Sequence, residues 1–249
     1  MKHDLHLLSL PWNDYELLDS GENMKLERFG EVIVARPETQ ALWGKQKPER
    51  WETAHAEFSF RADKSLPAGR QGAWEIKKPV PKSWELSWED ARFIARLTSF
   101  KHTGVFHEQS PNWQWLETRV KGFVNLSSDE RFTKPSVLNL FGYTGIASLV
   151  CAQAGAFVTH VDASKQSLDW AHENARLSGI GEDAIRWILD DALSFVKREA
   201  RRGAIYEGII LDPPAFGRGA KGEVWKIEED LQKLLESLKE ILSDAHGSF

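Results

Sequence analysis

The chain has 249 residues, 41% of them hydrophobic, and a formal net charge of −5. That length can bury a full core as one large domain or two smaller ones. The negative balance excludes a global positive field that would draw the protein non-specifically onto nucleic acid, so any RNA contact has to be local.

A single cysteine, Cys151, excludes a disulfide framework and fits a reducing compartment. The start MKHDLHLLSLPW is too short and polar for a secretory signal, and no stretch approaches the ~20 apolar residues of a membrane helix. The expected location is therefore the cytoplasm, with no membrane partner.

In chain order, the first hundred or so residues hold most of the tryptophans, set in short pieces such as EVIVARP, AEFSF, AWEI and WELSW between Pro, Gly and Asp turns. This texture predicts small antiparallel strands. The segment RADKSLPAGRQGAWEIKKPVPK has little to bury, and its middle reads as an exposed hairpin loop with solvated charges. At Ser110 and Pro111 a helix is expected to start, because Trp113, Leu116 and Val120 then share one face. A domain boundary is placed there, giving an antiparallel β-rich α+β region over 1–109 and a second domain over 110–249.

Beyond Pro135 the pattern is strand, loop, helix, repeated. SVLNLF precedes a helix from about Ile146. FVTHVD precedes SKQSLDWAHENARLSG, IRWILD precedes ALSFVKREARRG, and YEGIILD precedes IEEDLQKLLESLKEILS. Short apolar strands alternating with amphipathic helices predict an α/β, Rossmann-like parallel sheet with helices on both faces. Ligands of such sheets collect at the carboxyl ends of the strands.

Four of those ends carry chemistry. After the first, FGYTG has Gly142 and Gly145, which let the backbone pass close to a ligand, and the next helix start offers free N–H groups. Asp162 ends the second strand about twenty residues further on, where an acidic side chain commonly accepts ribose hydroxyls. The pair implies a nucleoside-like ligand. A dinucleotide site usually shows G-x-G-x-x-G for its pyrophosphate, whereas this turn is G-x-x-G. S-adenosylmethionine carries ribose, adenine and an amino-acid tail but no phosphate, and it suits this turn better. Asp190 and Asp191 end the third strand, where a carboxylate could meet the adenine amino group. Taken singly, the glycines could be ordinary turns and Asp162 or Asp191 could simply cap a helix.

The fourth end, LDPPAF, fixes the backbone with Pro213 and Pro214 so that the Asp212 carboxylate points into the site, and Phe216 can stack on a planar base. Methyl transfer from a sulfonium is a direct displacement that needs alignment and exclusion of water. Asp212 would hold, or take a proton from, the accepting atom. In isolation D-P-P could also merely stop a strand.

The segments VLNLFGYTG, VTHVDASK, DWAHENARLSG, ILDDAL and IILDPPAFGRGAKGEVWKIEEDL resemble the class I S-adenosylmethionine-dependent methyltransferases, in the group similar to bacterial 23S ribosomal RNA methyltransferases. Upstream, YELLDSGENMKLERFG, VARPETQALW and FKHTGVFHEQSPNW resemble the same group, so the likeness covers most of the chain apart from the Lys/Pro-rich insertion. The resemblance implies a cofactor site built from Phe141, Gly142, Tyr143, Thr144 and Gly145, with Asp162 on ribose and Asp191 near adenine. Asn139, Ala163, Ser164, Asn174, Asp190 and Ala192 come from the same segments. Asp212, Pro213, Pro214 and Phe216 would line the acceptor side. In HEQ, His107 stands where the family segment has proline, so Gln109 is the expected cofactor contact and His107 is expected to be solvated.

Some members that methylate cytosine C5 use a cysteine nucleophile on a later strand. Cys151, inside the helix after the glycine turn, instead reads as a small buried side chain. A class I sheet continues with further strands, the first starting near Ser248, so the chain is expected to be C-terminally truncated with YEGIILD as a bare apolar edge. The family's small basic RNA-binding module is not evident in the N-terminal half.

The basic runs at 197–203 and 217–221 lie near motif loops. The first reads as a helix end answering its dipole and solvent, and Arg218 and Lys221 of the second could reach a substrate phosphate. The eight histidines show no metal-ligand spacing, and no metal is expected. The sequence thus predicts a methyltransferase acting on an RNA base, most plausibly ribosomal. The alternatives are a nicotinamide-dependent oxidoreductase and a non-catalytic cofactor- or RNA-binding remnant. Nothing in it speaks to oligomeric state.

Overall fold

The computed structural model describes residues 11–60, 72–126, 134–219, 222–244 and 247–249. The middle of the Lys/Pro-rich insertion and Lys221 lie outside them. Two units are resolved by the packing, Met1–Ser110 and Pro111–Phe249.

In the first unit β1 (Tyr15–Gly21), β2 (Met24–Phe29), β3 (Val32–Pro37), β4 (Ala56–Phe60) and β5 (Gly72–Ile76) lie in that order in one sheet. A separate hairpin joins β6 (Trp84–Trp88) to β7 (Ala91–Ala95). Glu22 and Asn23 turn β1 into β2 with φ of 54° and 60°, a backbone that matches the twist of the flanking strands and that Asn tolerates well. Neighbours pair antiparallel, as expected of this region, with one exception. β3 and β4 run parallel, Val34 opposite Ala56, because a long connection containing the short 3-10 turn Pro48–Thr53 carries the chain back to the same end.

Inside this unit the Glu27 carboxylate is fully buried and takes two hydrogen bonds from Arg36, at 2.6 and 2.9 Å, and one from the Tyr15 hydroxyl at 3.0 Å. His107, in the turn His107–Gln109, stacks on the Tyr15 ring with centroids 3.6 Å apart. It is therefore a half-buried packing residue and not the solvated histidine its position beside Glu108 suggests. Gln109 ends the same turn and donates its backbone N–H to the Phe106 carbonyl at 3.1 Å.

The second unit follows the strand-helix order read from the sequence. Its elements are α1 (Ser110–Leu126), β8 (Ser136–Leu140), α2 (Ile146–Gln153), β9 (Phe157–Asp162), α3 (Lys165–Leu177), β10 (Ile185–Leu189), α4 (Ala192–Arg201) and β11 (Gly208–Leu211). A ribbon of β12 (Phe216–Arg218) and β13 (Val224–Lys226) and the helix α5 (Ile227–Leu238) complete it. Trp113, Leu116 and Val120 are buried on one face of α1. The parallel sheet has the order β10-β9-β8-β11. Its core packs Leu138, Leu140 and Val161 against Phe195, Leu234 and Ile241.

The expected bare edge at β11 is also corrected. Ile209 N–H donates to the Phe249 carbonyl at 2.7 Å, and Phe249 N–H to the Glu207 carbonyl at 2.9 Å. The Phe249 ring lies against Gly208 and meets Trp115 edge-on at 5.5 Å. Among the described residues no helix is long and apolar enough to cross a membrane.

Candidate functional site

β8 is the first strand of the parallel sheet. The chain then moves outward to β9 and β10, and returns to the other side of β8 with β11. The order reverses beside β8, and in open α/β sheets the carboxyl ends of the strands at such a reversal, here β8 and β11, are where ligands bind. With neighbouring strands ~4.8 Å apart, the four strand tips form a row about 15 Å long.

At the centre of that row is the turn 141–145. Phe141 and Tyr143 adopt left-handed φ of 56° and 51°, and Gly145, which caps α2, has φ of 88°. Left-handed backbone is strained for bulky residues and persists only where the surroundings hold it. Here the Gly142 N–H donates to the Val161 carbonyl at 3.1 Å, the Tyr143 N–H to Asp162 Oδ2 at 2.8 Å, and the Gly145 N–H to the Gly142 carbonyl at 3.0 Å.

The glycines have an internal cause that the sequence does not show. A Cβ on Gly142 would lie 2.5 Å from His160 Nδ1, and one on Gly145 3.0 Å from Ala171 Cβ. The core beneath the turn demands them, whatever lies above it.

His160 is fully buried and belongs to a polar chain. Asn139 Nδ2 donates to Ser148 Oγ at 2.9 Å, and Ser148 Oγ lies 3.0 Å from His160 Nδ1. Asn139, Ser148 and His160 thus form one buried chain of hydrogen bonds that ties β8, α2 and β9 together beneath the turn. Burial pushes the His160 pKa down to about 3.

Along the row toward β10 come the acidic groups. Asp162 accepts the Tyr143 N–H on one oxygen and the Ser164 N–H on the other, both at 2.8 Å. An ionised carboxylate offers about four acceptor positions, so capacity for ligand hydroxyls remains. Burial raises its pKa above the usual carboxylate value, with the Ser164 and Tyr143 N–H groups pulling the other way. The cap of α3 is Ser164, which accepts the Ser167 N–H at 3.2 Å. Asp191 caps α4, accepting the Ser194 N–H at 2.8 Å. Asp190 is ion-paired with Arg198.

At the other end, beyond β11, Asp212 is exposed, yet the desolvation imposed by the loop raises its carboxyl above the usual value. Pro213 is half-buried and Pro214 exposed. The Pro214 carbonyl accepts the Trp225 indole N–H at 2.7 Å. Phe216 opens β12, and the Arg218 guanidinium sits 6.0 Å from its ring centroid.

No protein-family model matches the chain. The crystal structure of the SAM-dependent methyltransferase from Agrobacterium tumefaciens superposes with a TM-score of 0.84 at 44% identity, covering 94% of this chain and 71% of that one. This chain belongs to the S-adenosylmethionine-dependent methyltransferases. The family's cofactor is S-adenosylmethionine, which sets aside the nicotinamide-dependent alternative.

Two curated relatives add to this. The ribosomal RNA large subunit methyltransferase K/L of Shewanella frigidimarina is 31% identical over 178 residues, 70% of this chain and 23% of that relative. The protein of the same name from Syntrophotalea carbinolica is 35% identical over 125 residues, 50% of this chain and 15% of that relative. The chain thus spans less than a quarter of the length of these curated relatives.

Within this chain, the sequence-selected residues separate into those at the strand tips and those beneath them. The backbone of 141–145, Asp162, Ala163, Ser164, Asp190, Asp191, Asp212, Pro213, Pro214 and Phe216 all belong to the row of tips. Asn139 and Asn174 do different work from that expected. Asn139 is 2% exposed and gives its amide to Ser148, and Asn174 is 0% exposed and gives its own to the Thr144 carbonyl at 2.9 Å. Asn174 thereby holds the turn itself, and Asn139 ties β8 to the helix α2 that follows it. Thr144 and Ala192 are likewise buried.

Sequence reading missed Ser148, His160 and Trp225. A histidine in the middle of an otherwise apolar strand was the available signal for the first two. For Trp225 the signal was a lone aromatic in the polar run KGEVWK.

Proposed function

We propose that the second unit binds S-adenosylmethionine along the tips of β10, β9, β8 and β11, and that the methyl group is delivered to a base of large-subunit ribosomal RNA in the cytoplasm. The observation that carries the reading is the order of that row. Asp191 lies at one end for adenine, Asp162 next for ribose, the turn 141–145 next for the amino-acid tail, and Asp212 last for the acceptor. The linear order of the cofactor's parts matches the linear order of the strands. A carboxylate already oriented by two N–H groups fits a ribose diol, and a G-x-x-G turn without the middle glycine of a pyrophosphate site fits a phosphate-free ligand.

When bound, S-adenosylmethionine supplies an electrophilic methyl on a sulfonium. The chain's own part is to orient and to move a proton. Asp212, with its raised pKa, accepts a hydrogen bond from an N–H of the acceptor and takes that proton as the new N–C bond forms, while the sulfonium becomes a neutral thioether. Phe216 offers a ring for the base and Arg218 a cation for a phosphate. Cys151 takes no part, since it is fully buried and its thiol is pushed up to about 12.

Calorimetry with S-adenosylhomocysteine, and transfer of labelled methyl to deproteinised large-subunit RNA, small-subunit RNA and transfer RNA, test the reading. Heat with S-adenosylhomocysteine and label confined to large-subunit RNA are expected, with turnover lost in Asp212→Ala. Binding without label in any RNA would leave a cofactor-binding remnant, and no binding at all would overturn the assignment.

A further inference from the structure

β12 and β13 form a two-stranded ribbon that shares no ladder with the parallel sheet. One side chain of the ribbon reaches into the core of the unit. Trp225, on β13, is 5% exposed and packs in the same core as Leu138, Leu140 and Val161. Its indole N–H donates to the Pro214 carbonyl at 2.7 Å, and the neighbouring Ile227 N–H donates to the Ala215 carbonyl at 3.1 Å. The same indole meets the Phe141 ring at 4.9 Å with the planes 55° apart.

Phe141 is the first residue of the strained turn, in left-handed backbone. One buried ring therefore touches both the turn assigned to the cofactor and the segment assigned to the acceptor. A buried indole N–H has to keep its acceptor, so a shift of the turn that moves Phe141 must drag the Pro214 carbonyl with it or break that bond.

We propose that Trp225 is a positioning residue that couples the two segments, so that filling the turn 141–145 with cofactor fixes the place of residues 212–216. The proposal rests on the methyl-transfer reading for the assignment of the two segments. It gives cofactor occupancy an effect on the acceptor side across the ends of β8 and β11, carried by a single ring.

Hydrogen–deuterium exchange with and without S-adenosylhomocysteine tests it in the full chain, beside Trp225→Phe and Trp225→Leu. The phenylalanine keeps a ring against Phe141 and removes only the N–H donor; the leucine removes both. In the wild type the ligand is expected to slow exchange in 141–145 and in 215–218 together. In Trp225→Phe protection of 141–145 is expected to stay within about twofold while that of 215–218 falls about tenfold. Turnover in the same variant is expected to fall about 10- to 100-fold with ligand affinity within about threefold, as misplacement of a reacting group requires. Trp225→Leu is expected to lose both protections.

Full protection of 215–218 in Trp225→Phe, or protection of 141–145 alone in the wild type, overturns the coupling and leaves the methyl-transfer reading standing. No response of the wild type to the ligand anywhere overturns that reading and the coupling with it.

Discussion

Gly142→Ala separates a turn shaped by its ligand from a turn shaped by the core beneath it. The added methyl carbon would lie 2.5 Å from His160 Nδ1 and 2.9 Å from Nε2, closer still to Cε1, where ordinary contact is 3.4–4 Å. The ring has nowhere to go: it is fully buried, tied to Ser148 at 3.0 Å and flanked by the Trp187 indole at 4.9 Å. Gly142 is not among the positive-φ glycines, so backbone strain does not enter. Overlap of this size in a packed core costs about 3 kcal/mol, which lowers the Tm of the second unit by about 6–12 °C.

Thermal and urea unfolding followed by circular dichroism read the loss, and calorimetry with S-adenosylhomocysteine reads binding separately. His160→Ala, destabilising on its own because it leaves a cavity and strands Ser148, makes room for the new methyl. The double variant is then more stable than the sum of the singles by at least about 1 kcal/mol. Wild-type stability in Gly142→Ala together with a large loss of ligand affinity would refute the reasoning and return the glycine to the ligand.

Four further outcomes follow from the same geometry. Glu27 is buried, which by itself raises its pKa, but the Arg36 charge and hydrogen bonds hold it below the usual 4.5. Glu27→Gln leaves the Arg36 charge buried and uncompensated, and at pH 7 the first unit should lose about 3–5 kcal/mol, a deficit that shrinks as pH falls below 4.5, where the unfolded wild-type carboxylate takes up its proton before the folded one does. His160 is held neutral, with its pKa pushed down from 6.5 to about 3, so the unfolded chain binds the extra proton first. The stability of the second unit should therefore be full above pH 6.5 and fall progressively toward pH 3, a slope that His160→Phe flattens in pH-dependent urea melts.

Cys151 should resist thiol reagents in the native protein and react once it is unfolded, and Cys151→Ala should keep methyl transfer; rapid native labelling would contradict the burial of the thiol. Asp191→Ala removes the cap of α4 and should cost about 1 kcal/mol in urea unfolding. Unchanged stability would show that the Ser194 N–H does not depend on that carboxylate.

The strand tips were legible because each is a local event: an apolar run that stops at Gly, Asp or Asp-Pro-Pro declares itself within ten residues. β9, β10 and the helices α3 and α4 fall where hydrophobic period and capping residues put them. Asn139 and Asn174 were assigned to the ligand because they sit in the right segments. Their amides are committed across the fold, to Ser148 and to the Thr144 carbonyl, partners 9 and 30 residues away. The parallel pairing of β3 with β4 and the capping of the β11 edge by Phe249 were illegible for the same reason, since both join residues that nothing local links. His107 was read as solvated because its neighbours in sequence are polar, while its stacking partner Tyr15 is far away along the chain.

Residue order by itself determined the alternation of strand and helix, the places where strands end, and the chemical types waiting there, because these follow from side-chain period, backbone freedom and capping over short spans. Only the tertiary structure decided that β11 returns beside β8, that Gly142 yields its space to His160, and that Trp225 touches both Phe141 and Pro214. Those are contacts between distant parts of the chain, selected when the core closes, and no local pattern encodes them.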